Sequence, residues 1–385
     1  MTGTSIELRK FVAPEFVIGE DARLLTGQYA KNFSARHVFI VTGPDVIKKG
    51  WVKGVIESLD AKDIEHTIFS GVTSNPRDHE VMEGAGQYVL SGCDAIVALG
   101  GGSPIDCAKG IGIVISNKEH ILKFEGVDNV AVPPPPMICI PTTAGTGADV
   151  SQFAIINDTL QRVKIAIISK TIVPDIALID PVPLITLSPE LTANTGMDAI
   201  THSIEAYVSN ASSPVTDIQA LESIRLMMNH LPAAYREPGS IAERYQTMLG
   251  SLLAGLAFSN ASLGAVHALA HSLGGYSDLP HGECNALLLE HVINFNYDAC
   301  PERYDVIARV LDAGKSGHAR GRNTIISSIR SLRESLGVTG TLRDLGVTRE
   351  DIPELARKAM KDPCLATNPK KPSLTAIEHI YEAAL

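Results

Sequence analysis

Two pairs of side chains set the chemistry that this sequence can support. Asp198 and His202 are four residues apart, and so are His267 and His271. In a helix that spacing puts both members of a pair on one face, about one turn apart. His281 follows in Leu279-Pro280-His281-Gly282-Glu283, so His202, His267, His271 and His281, four of the 12 histidines of the chain, stand at or near these motifs. Ionisable groups inside apolar helices need partners or a metal, and imidazoles with one carboxylate suit zinc, iron(II) or a related divalent ion. Periodicity alone leaves open which of His267 and His271 is a ligand. No His-Glu-x-x-His is present, so nothing points to a zinc peptidase.

Two further stretches have residue types that suit a nucleotide, and the second reads equally as a polar turn when taken alone. Gly100-Gly101-Gly102-Ser103-Pro104 joins a strand-like run to a helix-like one. One glycine would serve a turn. Three glycines and a serine at a helix start let backbone N–H groups approach a pyrophosphate. The stretch is neither Gly-x-Gly-x-x-Gly nor a P-loop. Pro141-Thr142-Thr143-Ala144-Gly145-Thr146-Gly147 is a second small-residue loop after a strand, with hydroxyls for a ribose, phosphate or amide. Loops at successive strand ends are where open α/β sheets bind ligands.

The elements that must position these residues fall into two textures. Short apolar runs at 38–42, 67–69, 94–99 and 137–140 read as buried strands, and 81–90 and 105–115 read as helices between them. That alternation predicts a mostly parallel sheet covered on both faces. Past Pro181-Val182-Pro183 strand-like runs vanish, and helical patterns follow at 189–209, 214–231, 240–258, 261–273, 284–296, 301–313, 324–336, 349–360 and 373–384. The expected architecture is an α/β dinucleotide-binding domain over 1–183 and an all-helical metal-binding domain over 184–385. The proline run 133–136 reads as a rigid spacer.

Bulk properties exclude several classes. At 385 residues, 45% hydrophobic and 20% charged, the chain fits a soluble two-domain protein. A net charge of −10 lacks the basic face of a nucleic-acid binder. No apolar run is long enough for a membrane helix, and the N-terminus lacks a secretion-signal pattern. Six scattered cysteines without Cys-x-x-Cys suit reduced thiols and a cytoplasmic address.

At these residues the chain closely resembles the iron-dependent, group III alcohol dehydrogenases. The resemblance spans nearly the whole chain and rests on Gly100 to Ser103 with Asp106 and Lys109, on Pro141 to Gly147, on Gly196-Met197-Asp198 with His202, and on His267 to Gly275 with Pro280-His281-Gly282. It implies Asp198, His202, His267 and His281 as metal ligands. It makes His271 a neighbour of substrate and nicotinamide with a proton-transfer role. The implied cofactor contacts are Asn75, Gly101, Gly102, Ser103, Thr142, Thr143, Thr146 and Lys164. Iron(II), with zinc or another divalent metal possible, a small alcohol or aldehyde substrate and a homodimer or larger assembly are implied in the same way.

The chain departs from the family pattern at Gly43, which stands where many members carry an aspartate for the adenosine ribose. Losing that carboxylate makes NADP possible beside NAD; Asp45 lies two residues on, and Lys48 and Lys49 come later. Ala148-Asp149 replaces a common Ser-Glu. Glu283 reads as a solvent-facing residue of a helix first turn, and Thr367 as a residue that narrows the substrate entrance. Phe153, Phe258, Leu263 and Cys364 are candidate pocket walls. The competing expectations are a dehydroquinate-synthase-type lyase, a zinc enzyme like the glycerol dehydrogenases, and a non-catalytic sensor.

Overall fold

The structure is a computed structural model that describes residues 8–311 and 321–385. Residues 1–7, at the start of the segment read for a secretion signal, and 312–313, at the end of the helix expected over 301–313, lie outside the described residues. Strands β1 (Glu15–Ile18), β2 (His37–Thr42), β3 (Glu65–Phe69), β4 (Ala95–Gly100), β6 (Met137–Pro141) and β9 (Ile176–Ile179) form a parallel sheet in the order β1-β9-β6-β4-β2-β3. Helices α1 (Thr26–Asn32), α2 (Pro44–Lys48), α3 (Trp51–Asp60), α4 (Asp78–Ser91) and α5 (Gly102–Asn117) belong to this half.

Alternation along the strands explains why both faces are covered. Phe39 and Val41 of β2 and Ile96 and Ala98 of β4 join one core, whereas Val38, Ile40, Val97 and Leu99 join the other. The central strands therefore read as continuous apolar runs. The chain runs outward from β2 to β3, then crosses back to β4, so the order reverses between β2 and β4. Ligands of doubly wound sheets bind beyond the carboxyl ends of the strands at that point. Gly43 leaves β2 there and Gly101 leaves β4, and Gly100 pairs with Pro141 of β6, so the glycine and threonine loops are neighbours.

A second sheet, not expected from the sequence, holds β5 (Gly126–Val127), β7 (Phe153–Asp158) and β8 (Val163–Ile168). Its hairpin is antiparallel, from Phe153 opposite Ile168 to Asp158 opposite Val163. Its turn is held by Asp158, whose carboxylate accepts from the Leu160 and Gln161 amides, and Arg162 completes it at φ +53°. The edge strand β1 and the four-residue β9 were also unforeseen; both are too short to show a clear period.

The remaining helices are α6 (Pro189–Val208), α7 (Pro214–Arg236), α8 (Ile241–Ala261), α9 (Ala265–Ser277), α10 (His281–Asn296), α11 (Pro301–Leu311), α12 (Arg322–Ser335), α13 (Ile352–Ala359) and α14 (Leu374–Ala384). Ser188 caps α6, its hydroxyl accepting from the Leu191 amide, with Pro189 in the first turn. From Thr192 to Val208 every residue of α6 is buried, which marks it as the centre of the helical core. The pattern expected over 261–273 instead starts at Ala265. The helix breaks at Ser262-Leu263-Gly264, Ser262 taking φ +60°, and α9 leaves α8 at 100°. That bend turns His267 toward Asp198 of α6 and His271 toward Asp362. Among the described residues no single helix is long and apolar enough to cross a membrane.

Candidate active site

Helices α6, α9 and α10 bring the ligand-type residues to one point. Oδ1 of Asp198 lies 3.7 Å from Nε2 of His202, 3.6 Å from Nε2 of His267 and 3.9 Å from Nε2 of His281. Tetrahedral coordination with bonds of about 2.0–2.2 Å has ligand–ligand edges of about 3.3–3.6 Å; the three edges to Asp198 come near this range, and His202 would have to move toward the other imidazoles to complete the set. The donors of Asp198, His267 and His281 all lie within 4.8 Å of one another; His202 falls outside that group and approaches it through Asp198.

The other ring nitrogens set the tautomers. Nδ1 of His202 lies 3.1 Å from the carbonyl of Gly145, and Nδ1 of His267 lies 2.6 Å from Oε2 of Glu205. Both partners only accept, so each Nδ1 carries a proton and Nε2 is the nitrogen left to face a cation. Glu205 is buried and also accepts from the amides of Gly264 and Val266, which locks it to the start of α9. Asn285, one turn after His281 on α10, donates from Nδ2 to Oδ1 of Asp198 at 2.7 Å.

Charge follows from this packing. Burial pushes the Asp198 carboxyl upward, but the facing imidazoles of His202, His281 and His267 outweigh it and hold it well below the usual range. Burial lowers His202 to about 4 and takes His281 well below the usual imidazole value. For His267 the burial effect is overcome by Asp198 and Glu205, which raise it to about 9. His267 thus holds a proton toward Asp198 that a bound cation would displace, while His202 and His281 are neutral; a buried carboxylate in that setting suits a cation.

His271 is set apart. Its Nδ1 lies 2.8 Å from Oδ2 of Asp362, and its ring stacks on His281 with centroids 5.3 Å apart. Cys364 groups with these two residues, but burial first, and Asp362 next, raise its thiol well above the ordinary value. A protonated thiol is a poor ligand, and the Asp198, His267 and His281 group is the one that shares a carboxylate oxygen with a further imidazole, His202.

The centre sits at the inner end of a cleft. A chamber of about 150 Å³ is lined by Asp198, His202, His267, His271 and His281, by the apolar Phe153, Phe258 and Leu263, and by Lys164. The outer cleft is lined by Gly43, Asn75, Gly101, Gly102, Ser103, Thr142, Thr143 and Thr146, with Trp51 and Pro183 also in its wall. The glycine and threonine loops touch: a Cβ on Gly102 would come within 3.0 Å of the Thr146 side chain. Gly147 takes φ +57° and leaves no room for a Cβ against Gly255, which seats the threonine loop on α8. The Thr143 hydroxyl is buried without a partner in this cleft, which suits a phosphate or amide guest. Lys109 anchors the loop from behind, its buried ammonium donating to the carbonyls of Ala148 (2.6 Å), Ser151 (2.7 Å) and Phe153 (2.8 Å).

Three expectations need correction. Cys364 does not line the chamber, because its amide turns in to the Asp362 carboxylate. Thr367 does not narrow the entrance; its hydroxyl is tied to the Leu263 carbonyl. Glu283 does lie in the first turn of α10, but it is half-buried, and burial and Glu190 raise its carboxyl. Sequence reasoning missed Glu205, Asn285 and Asp362. Glu205 stands seven residues after Asp198 and Asn285 four after His281, spacings that continue the same helix faces. Asp362 has no local signal, being 91 residues from His271.

Fold and site define a two-part protein in which a nucleotide-type cleft at a parallel sheet ends on an ion site among helices. Residues 13–181 match the family model "Iron-containing alcohol dehydrogenase", and residues 192–385 match "Fe-containing alcohol dehydrogenase family, C-terminal". The chain is 39% identical to the 1,3-propanediol dehydrogenase of Klebsiella pneumoniae, over 96% of this chain and 94% of that one. It is 35% identical to the NAD-dependent methanol dehydrogenase of Bacillus methanolicus, over 97% and 99%. A solved 1,3-propanediol oxidoreductase superposes with a TM-score of 0.94 at 36% identity, covering 98% of this chain and all of the other. The chain belongs to the iron-containing alcohol dehydrogenase family.

Proposed function

We propose that the chain is a metal-dependent alcohol dehydrogenase and aldehyde reductase, moving a hydride reversibly between a small primary alcohol or diol and a nicotinamide cofactor. The observation that carries this reading is the position of the Asp198 carboxylate, facing three imidazole nitrogens at the closed end of the glycine-loop cleft. Asp198, His202, His267 and His281 would hold the metal, iron(II) first. Gly101, Gly102, Ser103, Thr142, Thr143, Thr146, Asn75 and Lys164 would hold the cofactor. NAD is the first choice, supported by the named NAD-dependent relative. NADP stays open because Gly43 offers no carboxylate and Lys49 lines the same cleft.

When bound, the cation supplies Lewis-acid polarisation of an alcohol or carbonyl oxygen, and the nicotinamide supplies the hydride acceptor or donor. The protein positions and shields. Phe153, Phe258 and Leu263 keep the chamber apolar, and its volume, comparable to a cavity that takes benzene, favours a substrate of a few heavy atoms. Asp362 accepts from Nδ1 of His271, which leaves Nε2 of His271 to take up or return a hydroxyl proton. The glycine and threonine loops would hold the dinucleotide in the outer cleft, which opens on the same residues Asp198 and His281 as the chamber.

The test is a panel of short alcohols, diols and aldehydes with NAD or NADP, on protein stripped by chelator and reloaded with iron, zinc or cobalt. Metal-dependent net formation of NADH or NADPH with the alcohols and diols, and net consumption of added NADH or NADPH with the aldehydes, read by absorbance, is expected. Full activity in the stripped protein, or turnover without net change in cofactor as in a lyase, overturns the reading.

A further inference from the structure

Asn285 is fully buried on α10 between Cys284 and Ala286, in a run that continues Leu287-Leu288-Leu289. A carboxamide in such a place must use its hydrogen-bonding groups or destabilise the helix core. Its Nδ2 lies 2.7 Å from Oδ1 of Asp198, 3.2 Å from Nε2 of His267 and 3.2 Å from Nε2 of His281. Its Oδ1 is buried without a partner. Every polar atom that the carboxamide reaches thus belongs to the metal centre. The contact with Asp198 also fixes its orientation, because an amide oxygen at 2.7 Å from a carboxylate oxygen would face another acceptor. His281 and Asn285 are four residues apart, so α10 offers a pair on one face as α6 and α9 do.

We propose that Asn285 is a positioning residue of the metal centre. Its carboxamide aims the Asp198 carboxylate at the cation and closes the face formed by Asp198, His267 and His281. The inference rests on the metal-site reading above and extends it to a residue outside the ligand set. A neutral donor suits the place: it restrains Asp198 without adding charge, whereas a second carboxylate there would bind the cation itself. Outer partners of this kind hold ligands in the geometry that a metal needs.

The test uses the full chain stripped with chelator and titrated with Co²⁺, as wild type, Asn285→Ala and Asn285→Asp. Affinity is read by competition with a coloured chelator, and ligand geometry by the visible Co²⁺ spectrum. Quenching of Trp51 by added NADH checks that the cofactor cleft is intact. Asn285→Ala should bind Co²⁺ about 10–100-fold more weakly with a shifted spectrum and unchanged quenching. Asn285→Asp, which keeps the volume if the alanine variant misfolds, should lose visible intensity as a second carboxylate enters the coordination sphere. Wild-type affinity and spectrum in both variants would overturn the proposal while leaving the metal site standing. Failure of the wild type to bind Co²⁺ overturns the metal reading, and this proposal with it.

Discussion

Oε2 of Glu205 lies 2.6 Å from Nδ1 of His267, and the same oxygen accepts from the amide of Gly264. One carboxylate therefore orients an ion-facing imidazole and caps the helix that carries it. Glu205→Gln would turn an NH₂ toward donors on one side. Metal affinity should fall about 10–100-fold, as measured by chelator competition with metal content by mass spectrometry. Unchanged affinity would show that His267 holds its orientation without this partner.

His271 and His267 share a helix face but not a role. In His271→Ala, metal content should hold while turnover drops about 10²–10⁴-fold, the usual contribution of a positioned acid–base group. His267→Ala should lose metal. If His271→Ala also loses metal, the division between the two histidines is wrong. The ring of His271 packs on His281, so metal content must be measured beside the rate.

Gly43 ends β2 at the switch point with φ −100°, and a Cβ there would stand 3.6 Å from the Val72 carbonyl, an ordinary contact. Gly43→Asp therefore fits without backbone strain, at a helix N-cap where aspartate is favoured. It should raise the KM for NADP at least tenfold relative to NAD, because a carboxylate repels a 2′-phosphate. An unchanged KM ratio would place the adenosine ribose elsewhere in the cleft.

Asp106 lines the inner chamber, and burial pushes its carboxyl up to about 7 against the pull of Lys109 and Lys164. Between about pH 4 and 7 the folded chain keeps a proton that the unfolded chain has released. Its contribution to stability therefore declines as pH rises through that window, by up to ~4 kcal/mol. Asp106→Asn should remove the decline, so that the stability of wild type relative to the variant falls with pH in urea titrations of cofactor-free protein. Parallel curves from pH 4 to 7 would refute the shift.

Much of this was legible before any coordinates. The run Val38 to Thr42 is buried on both faces and so is apolar throughout, which betrays a central parallel strand. The pairs 198/202 and 267/271 show because helical spacing is a local property. The hairpin from Phe153 to Ile168 carries short apolar runs at 153–156 and 165–168, but that they pair with each other and pack on α5 and α9 is decided by the tertiary fold.

What the sequence determined by itself was local: residue types, their period, two glycine- and threonine-rich loops and the texture change at Pro181. Tertiary structure alone decided which of these meet. The bend at Ser262 aims α9 at α6, so that His267 faces Asp198 and His271 turns to Asp362. Nothing near His271 in the chain announces a partner 91 residues away. Helix period fixes a face, but the direction in which that face looks is set by how whole helices pack, and that is a property of the assembled core.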